Sequence, residues 1–303
     1  MSTAVQFKKV VLIGASGNLG AIILPRLLKS KAFEVTVLTR TSSAASFPAD
    51  VSVVKTSYSE DDLAEVFRGQ DAIISAVGAN SFQEQKVFID AAIKAGVQRF
   101  LPSELSSNTL SDVVRELVPV FEPKKAILDY LREKENTGLT WTGLSTGPLL
   151  DWGLSNGFLG YDIANKKAVI WDDGKISFSA TNQADVGNAV VSVLMHPIET
   201  ANQYLYVASL TTCQKAILDS LEVQTGEKWT VEHVKTEEQI ALGRKLVSEG
   251  DFTGMFALVR ATAWGTIPGI RSNYVVEEKL ANAILELPEG DLDETVRNVL
   301  RSH

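Results

Sequence analysis

Residues 10–20 read VVLIGASGNLG: an apolar run stops at Gly14, and the next two glycines follow at Gly17 and Gly20. This spacing predicts a strand, a tight turn and the start of a helix. Val10–Ile13 suits a strand buried on both faces, Gly14 the sharp turn, Gly17 a backbone close to a phosphate, and Gly20 a helix packed tightly on the sheet. The helix would aim unpaired N–H groups and the positive end of its dipole at the turn, where a pyrophosphate fits. A plain glycine turn is the competing reading. The context favours a dinucleotide site, because the glycines directly follow one β run and a second, Glu34–Thr39, begins about a helix-length later.

The second run ends in Arg40, with Thr39, Thr41, Ser42 and Ser43 around it. An acidic residue here would bond a ribose 2′-hydroxyl and repel a 2′-phosphate. A guanidinium stacked on adenine and paired to that phosphate favours NADP(H) over NAD(H); a surface arginine at a strand end is the alternative.

The chain has 303 residues, which implies one large or two unequal domains. Asp and Glu number 37 against 29 Lys and Arg, a net charge of −8. With a pI near 5.1 and no basic run, no nucleic-acid partner is expected. Cys213 is the only cysteine, so an internal disulfide is excluded and a reducing compartment fits. His196, His233 and His303 lack ligand spacing, and no metal is expected. No stretch approaches the roughly 18 apolar residues of a membrane span. The start, MSTAVQFKK, lacks the features of a secretory signal. A cytoplasmic protein with no membrane partner is the expectation, monomer or homodimer, acting on a small-molecule substrate.

Strand and helix alternate from residue 10 to about 146, which predicts a doubly wound parallel sheet of the Rossmann α/β class. Strands are expected at Val10–Ile13, Val35–Thr39, Val51–Lys55, Ala72–Ala76, Arg99–Pro102 and Thr140–Leu144. Between them, Phe88, Ala91, Ala92 and Ala95 form one helical stripe that Gly96 closes. The rhythm breaks at STGPLLDWGLSNGFLGYD, which reads as pocket-forming loop. A helix over Val186–Leu194 and a strand over Tyr204–Ala208 are expected to return to the main sheet. Further helical stripes are Ile217, Leu218, Leu221; Val276, Leu280, Ala283, Ile284, Leu287; and Leu292, Val296, Val299, Leu300. Residues 1–150 with about 181–210 are read as the dinucleotide-binding domain. About 151–180 with 211–303 are read as a smaller, mostly helical substrate-binding cap.

In such a sheet the ligand lies beyond the C-terminal ends of the strands. Those ends carry Gly14–Gly20, Arg40, Ser57–Tyr58, Ala76–Val77–Gly78, Pro102–Ser103–Glu104 and Ser145–Thr146–Gly147. Candidate cofactor contacts are therefore Gly14, Ser16, Gly17, Asn18, Leu19, Gly20, Thr39, Arg40, Ser42, Ala76, Val77 and Gly78. Short-chain dehydrogenases commonly use Tyr-x-x-x-Lys as their acid/base pair, and Tyr130 and Lys134 have that spacing. Lys134 falls in the last turn before the strand at Thr140, too late to reach the cleft. Lys124 is the better candidate. It shares a face with Ile127, Leu128 and Leu131 in the helix that Pro123 opens, whereas Lys125 shares a face with Asp129 and Arg132. A partly buried lysine has a lowered pKa and can exchange a proton near neutrality; a lysine whose stem only covers the core edge is the plainer reading.

Taken in order, GASGNLG, the Arg40 strand end, QEQKVFIDAAIKAGVQRFLPSELS, FEPKKAILDYL and LTWTGLSTGPLLDWG resemble the isoflavone reductase-like and NmrA-like branch of atypical short-chain dehydrogenases, most of all its fungal members. The resemblance implies that Lys124 is the catalytic lysine. It also implies that Gln85, at the start of a helix near the nicotinamide, together with Ser103 and Lys124, joins the contacts to NADPH/NADP+. Ser103 and Glu104 are equally readable as structural. SELSS stands where plant members commonly have Gly after SEF, and GPLLDWG replaces the usual Ser-Asn, so plant substrates are not implied.

Phe121, Trp152, Phe158, Tyr161, Trp171 and Trp264 are candidate pocket aromatics. Phe121, Gly147, Pro148, Trp152 and Phe158 are the chosen substrate-pocket residues. The expected activity is an NADPH-dependent reductase acting on a conjugated C=C or C=O of an apolar, aromatic or phenolic molecule. The other class is a non-catalytic NADP(H)-binding redox sensor of the NmrA type, and a third reading is a quinone or carbonyl reductase of broad range.

Overall fold

The computed structural model describes residues 6–302; His303 and residues 1–5 lie outside that range. The first half runs β1 (Lys9–Ile13), α1 (Asn18–Ser30), β2 (Glu34–Arg40), β3 (Ser52–Thr56), α2 (Glu60–Phe67), β4 (Ala72–Ser75), α3 (Gln85–Ala95), β5 (Arg99–Leu101), α4 (Asp112–Leu117), α5 (Glu122–Glu133) and β6 (Thr140–Ser145). It continues with α6 (Leu150–Ser155), β7 (Tyr161–Asp162), β8 (Lys167–Trp171), β9 (Phe178–Ala180), α7 (Gln183–Met195), β10 (Gln203–Tyr206) and β11 (Leu210–Thr212). The last elements are α8 (Gln214–Thr225), β12 (Thr230–Val234), α9 (Thr236–Ser248), α10 (Thr253–Trp264), α11 (Tyr274–Glu277) and α12 (Leu292–Arg301).

Seven strands form one sheet in the order β10-β6-β5-β4-β1-β2-β3. Every pairing in it is parallel, as the alternating pattern predicts. The order reverses at β1, which lies between β2 and β4, and this reversal opens the crevice in which such sheets bind ligands. Ile13 pairs with Leu38 on one side and Ser75 on the other, so Gly14, Thr39 and Ala76 leave the sheet side by side. Gly14 turns there with φ +81°, and an added Cβ would meet the Ala76 carbonyl oxygen at 2.6 Å. At Gly20 the Cβ would fall 2.2 Å from the Gly14 oxygen, so α1 sits on the turn as closely as its backbone allows.

Helices cover both faces. Leu24 and Leu27 of α1 pack with Val186 and Val190 of α7 on one side. Leu63 and Phe67 of α2, Phe88 and Ile89 of α3, and Ile127 and Leu128 of α5 fill the other. Each such side chain taken fully from water contributes about 1.5–3 kcal/mol. Away from the crevice, the buried Arg99 guanidinium donates to Thr140, Thr142 and Thr200 hydroxyls and to the Pro197 carbonyl, tying the α7–β10 connection to the sheet. A third apolar cluster joins α4, α6, β8 and the C-terminal helices through Val114, Leu154, Trp171, Ile217, Leu258 and Val296.

Three expectations need correction. The stripe from Val276 to Leu287 is not a helix: α11 stops at Glu277, and Leu280 forms a bridge to Tyr206. The Ala281 N–H donates to the Tyr206 carbonyl at 2.8 Å, and Ala281 and Leu285 are buried against the main sheet. The free edge of β10 claims backbone groups that a helix would have used internally, so tertiary pairing overrides the period. The segments read as a mostly helical cap also contain a three-stranded sheet, β12-β8-β7, besides their helices. Finally, the segment read as loop after β6 contains α6, whose Leu150 and Leu154 are buried.

Candidate functional site

At the C-terminal ends of β1, β2 and β4 lies a cleft of about 380 Å³. Gly14, Ser16, Gly17, Thr39, Arg40, Ser42, Ala76, Val77 and Gly78 line it, nine of the residues chosen from sequence. The N-terminus of α1 opens onto it with no side-chain cap and no acidic residue in the first turn, which leaves its N–H groups free for an anion. Gly17 needs no glycine for its own fold: its φ is −79°, and an added Cβ would only reach van der Waals contact at 3.4 Å from the Gly14 oxygen. Its small size is a property of the cleft. Asn18, Leu19 and Gly20 form the first turn of α1 and do not line the cleft.

Arg40 reaches along the cleft wall, with its guanidinium 5.3 Å over the Tyr58 ring. Its Nη2 donates to both carboxylate oxygens of Glu84, at 2.6 and 2.5 Å, and to the Ser81 hydroxyl at 3.3 Å. Glu84 was not foreseen, since it lies 44 residues away and its own neighbourhood in sequence carries no sign of the pairing.

Gln85 and Ser103 stand behind the cleft wall. The Gln85 side chain accepts from the Ser103 N–H at 2.8 Å and donates to the Phe82 carbonyl at 3.2 Å. The Ser103 hydroxyl donates to the Val77 carbonyl at 2.8 Å. Both thereby brace the segment from Val77 to Phe82, whose first part forms the cleft wall.

Lys124 leads the buried face of α5, ahead of Ile127, Leu128 and Leu131. It is only 4% exposed. Its ammonium donates to the Glu104 carbonyl at 2.6 Å and to the Ser106 hydroxyl at 3.1 Å. It stands 4.8 Å from the centre of the Phe82 ring and 5.5 Å from that of Phe121, a setting in which ring faces offset part of the lost hydration. Burial lowers its pKa to about 8, with the Glu104 carboxyl opposing the shift. Burial in turn raises the pKa of Glu104, against the pull of Lys124 and its hydrogen bonds with Thr109 and Tyr204. Lys134, by contrast, stands at the end of its helix beside Tyr130 and Asp90, remote in its contacts from the cleft.

Ser106 lines a second cavity, of about 140 Å³. Phe121, Gly147, Pro148, Trp152 and Phe158 all line it, together with Ser106, Ser107, Arg260 and Trp264. Trp152 and Phe158 pack with ring centres 5.5 Å apart, and Phe256 stands on Phe158 at 5.7 Å. Tyr161 and Trp171 do not line it; the Tyr161 hydroxyl is spent on the Gln214 carbonyl, and Trp171 packs edge-on against Trp264. Ser106 and Arg260 were missed. The only sequence signal for Arg260 is a charge inside the apolar run of α10, one turn before Trp264.

The arrangement thus pairs a cleft suited to an anion with an apolar cavity; Lys124 lines neither and meets the cavity through the Ser106 hydroxyl and the Phe121 ring. The chain is 38% identical over 296 residues to oxidoreductase aprR of Aspergillus flavus, covering 97% of this chain and 99% of that protein. The crystal structure of isoflavone reductase superposes with a TM-score of 0.78 at 22% identity, over 97% of this chain and 99% of that one. The binary complex of leucoanthocyanidin reductase with NADPH from Vitis vinifera does so with a TM-score of 0.77 at 16% identity, over 97% and 99%. The pattern of the NmrA-like family matches residues 6–288, and the chain belongs to that family.

Proposed function

We propose that the protein is an NADPH-dependent reductase of a small apolar, aromatic or phenolic molecule, acting on a conjugated C=C or a C=O with Lys124 as the proton donor. The observation that carries this reading is the Lys124 ammonium, buried, lowered to a pKa of about 8 and bonded to the Ser106 hydroxyl that lines the apolar cavity. A related chain of similar length is named an oxidoreductase, and a structural neighbour is a complex with NADPH.

The cleft fits that cofactor. Arg40 would hold the 2′-phosphate, the open N-terminus of α1 the pyrophosphate, and Gly17 would let the backbone approach it. Bound there, NADPH supplies a hydride. The residues of the chain do the rest. Phe121, Trp152 and Phe158 shed water from the substrate and orient it, while Ser106 presents a hydroxyl between substrate and lysine. As negative charge develops on the substrate oxygen, the Lys124 N–H proton moves toward it, directly or through the Ser106 hydroxyl, and solvent later restores it.

The test is NADPH oxidation by the purified protein across aromatic enones, quinones and ketones, with Lys124→Ala alongside. General acid catalysis contributes about 10²–10⁴-fold, so the variant should lose at least a hundredfold in turnover while NADPH affinity changes less than threefold. Equal loss of both, or no turnover by the wild type on any member, overturns the reading.

A further inference from the structure

The apolar cavity carries one charge, Arg260, and among the described residues that charge has no counter-ion. Its Nε donates to the Phe158 carbonyl, and its guanidinium lies 5.2 Å over the Phe158 ring. Those contacts fix the side chain but use a single N–H. Among the described residues the two terminal nitrogens have no protein acceptor and stay within reach of solvent, and no Asp or Glu lines the cavity. Two arginines nearer full burial or in ion pairs are matched: Arg115 by Asp112 and Glu122, Arg99 by three threonine hydroxyls and a carbonyl. Half-buried Arg26 is, like Arg260, without an acidic partner among the described residues, but it lines neither the cleft nor the cavity. One turn further along α10, the indole N–H of Trp264 is also buried without an acceptor. Burial lowers the Arg260 pKa and no neighbouring charge opposes the shift, but a guanidinium stays protonated even so. The cavity wall therefore has donors and a positive charge in excess.

From these unmatched donors we propose that Arg260 is a specificity-determining residue that pairs with a carboxylate on the substrate. The inference rests on the reductase reading and narrows its substrate class. Two terminal N–H groups in one plane match the two oxygens of a carboxylate, and an apolar surround strengthens the pair. A cavity of about 140 Å³ is close to the ~150 Å³ space that holds a single benzene ring. Ser106 and Phe121, both in contact with Lys124, form another part of the same wall. The substrate is then a one-ring acid with its carboxylate on Arg260 and its reacting group toward Ser106 and Lys124.

The experiment titrates NADPH-loaded protein with trans-cinnamate and with its methyl ester, read by tryptophan fluorescence, for wild type, Arg260→Leu and Arg260→Lys. The wild type should bind the acid at least tenfold more tightly than the ester. Arg260→Leu should erase that preference through weaker binding of the acid, with ester affinity changed less than twofold, and Arg260→Lys should restore part of it. Ester binding controls for folding of each variant. Equal affinity for acid and ester in the wild type, parallel loss of both in Arg260→Leu, or no saturable binding of either probe would overturn the proposal. Because binding is read without turnover, failure here leaves the hydride-transfer reading to its own test, and absence of turnover leaves this one intact.

Discussion

The glycine cleft and the apolar cavity share no lining residue and are built in opposite ways. The cleft is made largely of backbone, from three strand ends whose register places Gly14, Thr39 and Ala76 together. Its one charged side chain, Arg40, is 49% exposed. The cavity is made of side chains from segments between Ser106 and Trp264, and its surface is chiefly apolar. A cleft built from strand ends keeps its shape under most side-chain changes and can recognise a constant ligand. A cavity built from scattered side chains can change its ligand by single substitutions.

If that contrast is right, changes in the cleft should act on cofactor affinity and leave the fold alone. The largest effect is expected for Arg40→Ala. A hydrogen-bonded charge contributes about 1.5–3 kcal/mol, so NADPH affinity should fall about 10- to 100-fold with NADH affinity little changed. Equal affinity loss for both cofactors would remove the phosphate role. Next is Gly17→Ala, where the added methyl has room in the protein but intrudes on the cleft. About tenfold weaker NADPH binding is expected at an unchanged Tm, overpacking costing about 1–3 kcal/mol. A fall in Tm with affinity unchanged would show that Gly17 serves the turn instead. The smallest effect is expected for Glu84→Gln. The Arg40–Glu84 pair is half exposed and contributes roughly 0.2–1 kcal/mol, so releasing Arg40 should tighten NADPH binding by about 1.4- to fivefold. Weaker binding would mean that Glu84 positions Arg40 for the phosphate.

The same contrast explains what could be read from the sequence. The cleft was legible because its parts are local: a strand, a turn and a helix start within VVLIGASGNLG, then Arg40 at the next strand end. Lys124 was legible because a charge leading the stripe Ile127, Leu128 and Leu131 breaks the helical pattern. Trp152 and Phe158 stood out as aromatics in a glycine-rich segment after β6, and both line the cavity, as does Phe121. Arg260 and Glu84 were not legible, since each acquires its meaning from a partner more than 40 residues away: the Phe158 carbonyl for one, Arg40 for the other. Gln85 was placed correctly at the start of α3, but its amide reaches backbone groups that only the fold brings near. The stripe at Val276–Leu287 misled because an unpaired sheet edge competes for its backbone, which side-chain periodicity does not register.

The central claim is that Lys124 gives up a proton beside the apolar cavity. Its lowered pKa, about 8, sets the sign of the pH dependence: the ammonium is present below that value and lost above it. Single-turnover NADPH oxidation with a substrate found in the panel should therefore be level from pH 6 to about 7.5 and fall tenfold per pH unit well above 8. A rate that stays level to pH 10, or one that rises with pH, would contradict the account.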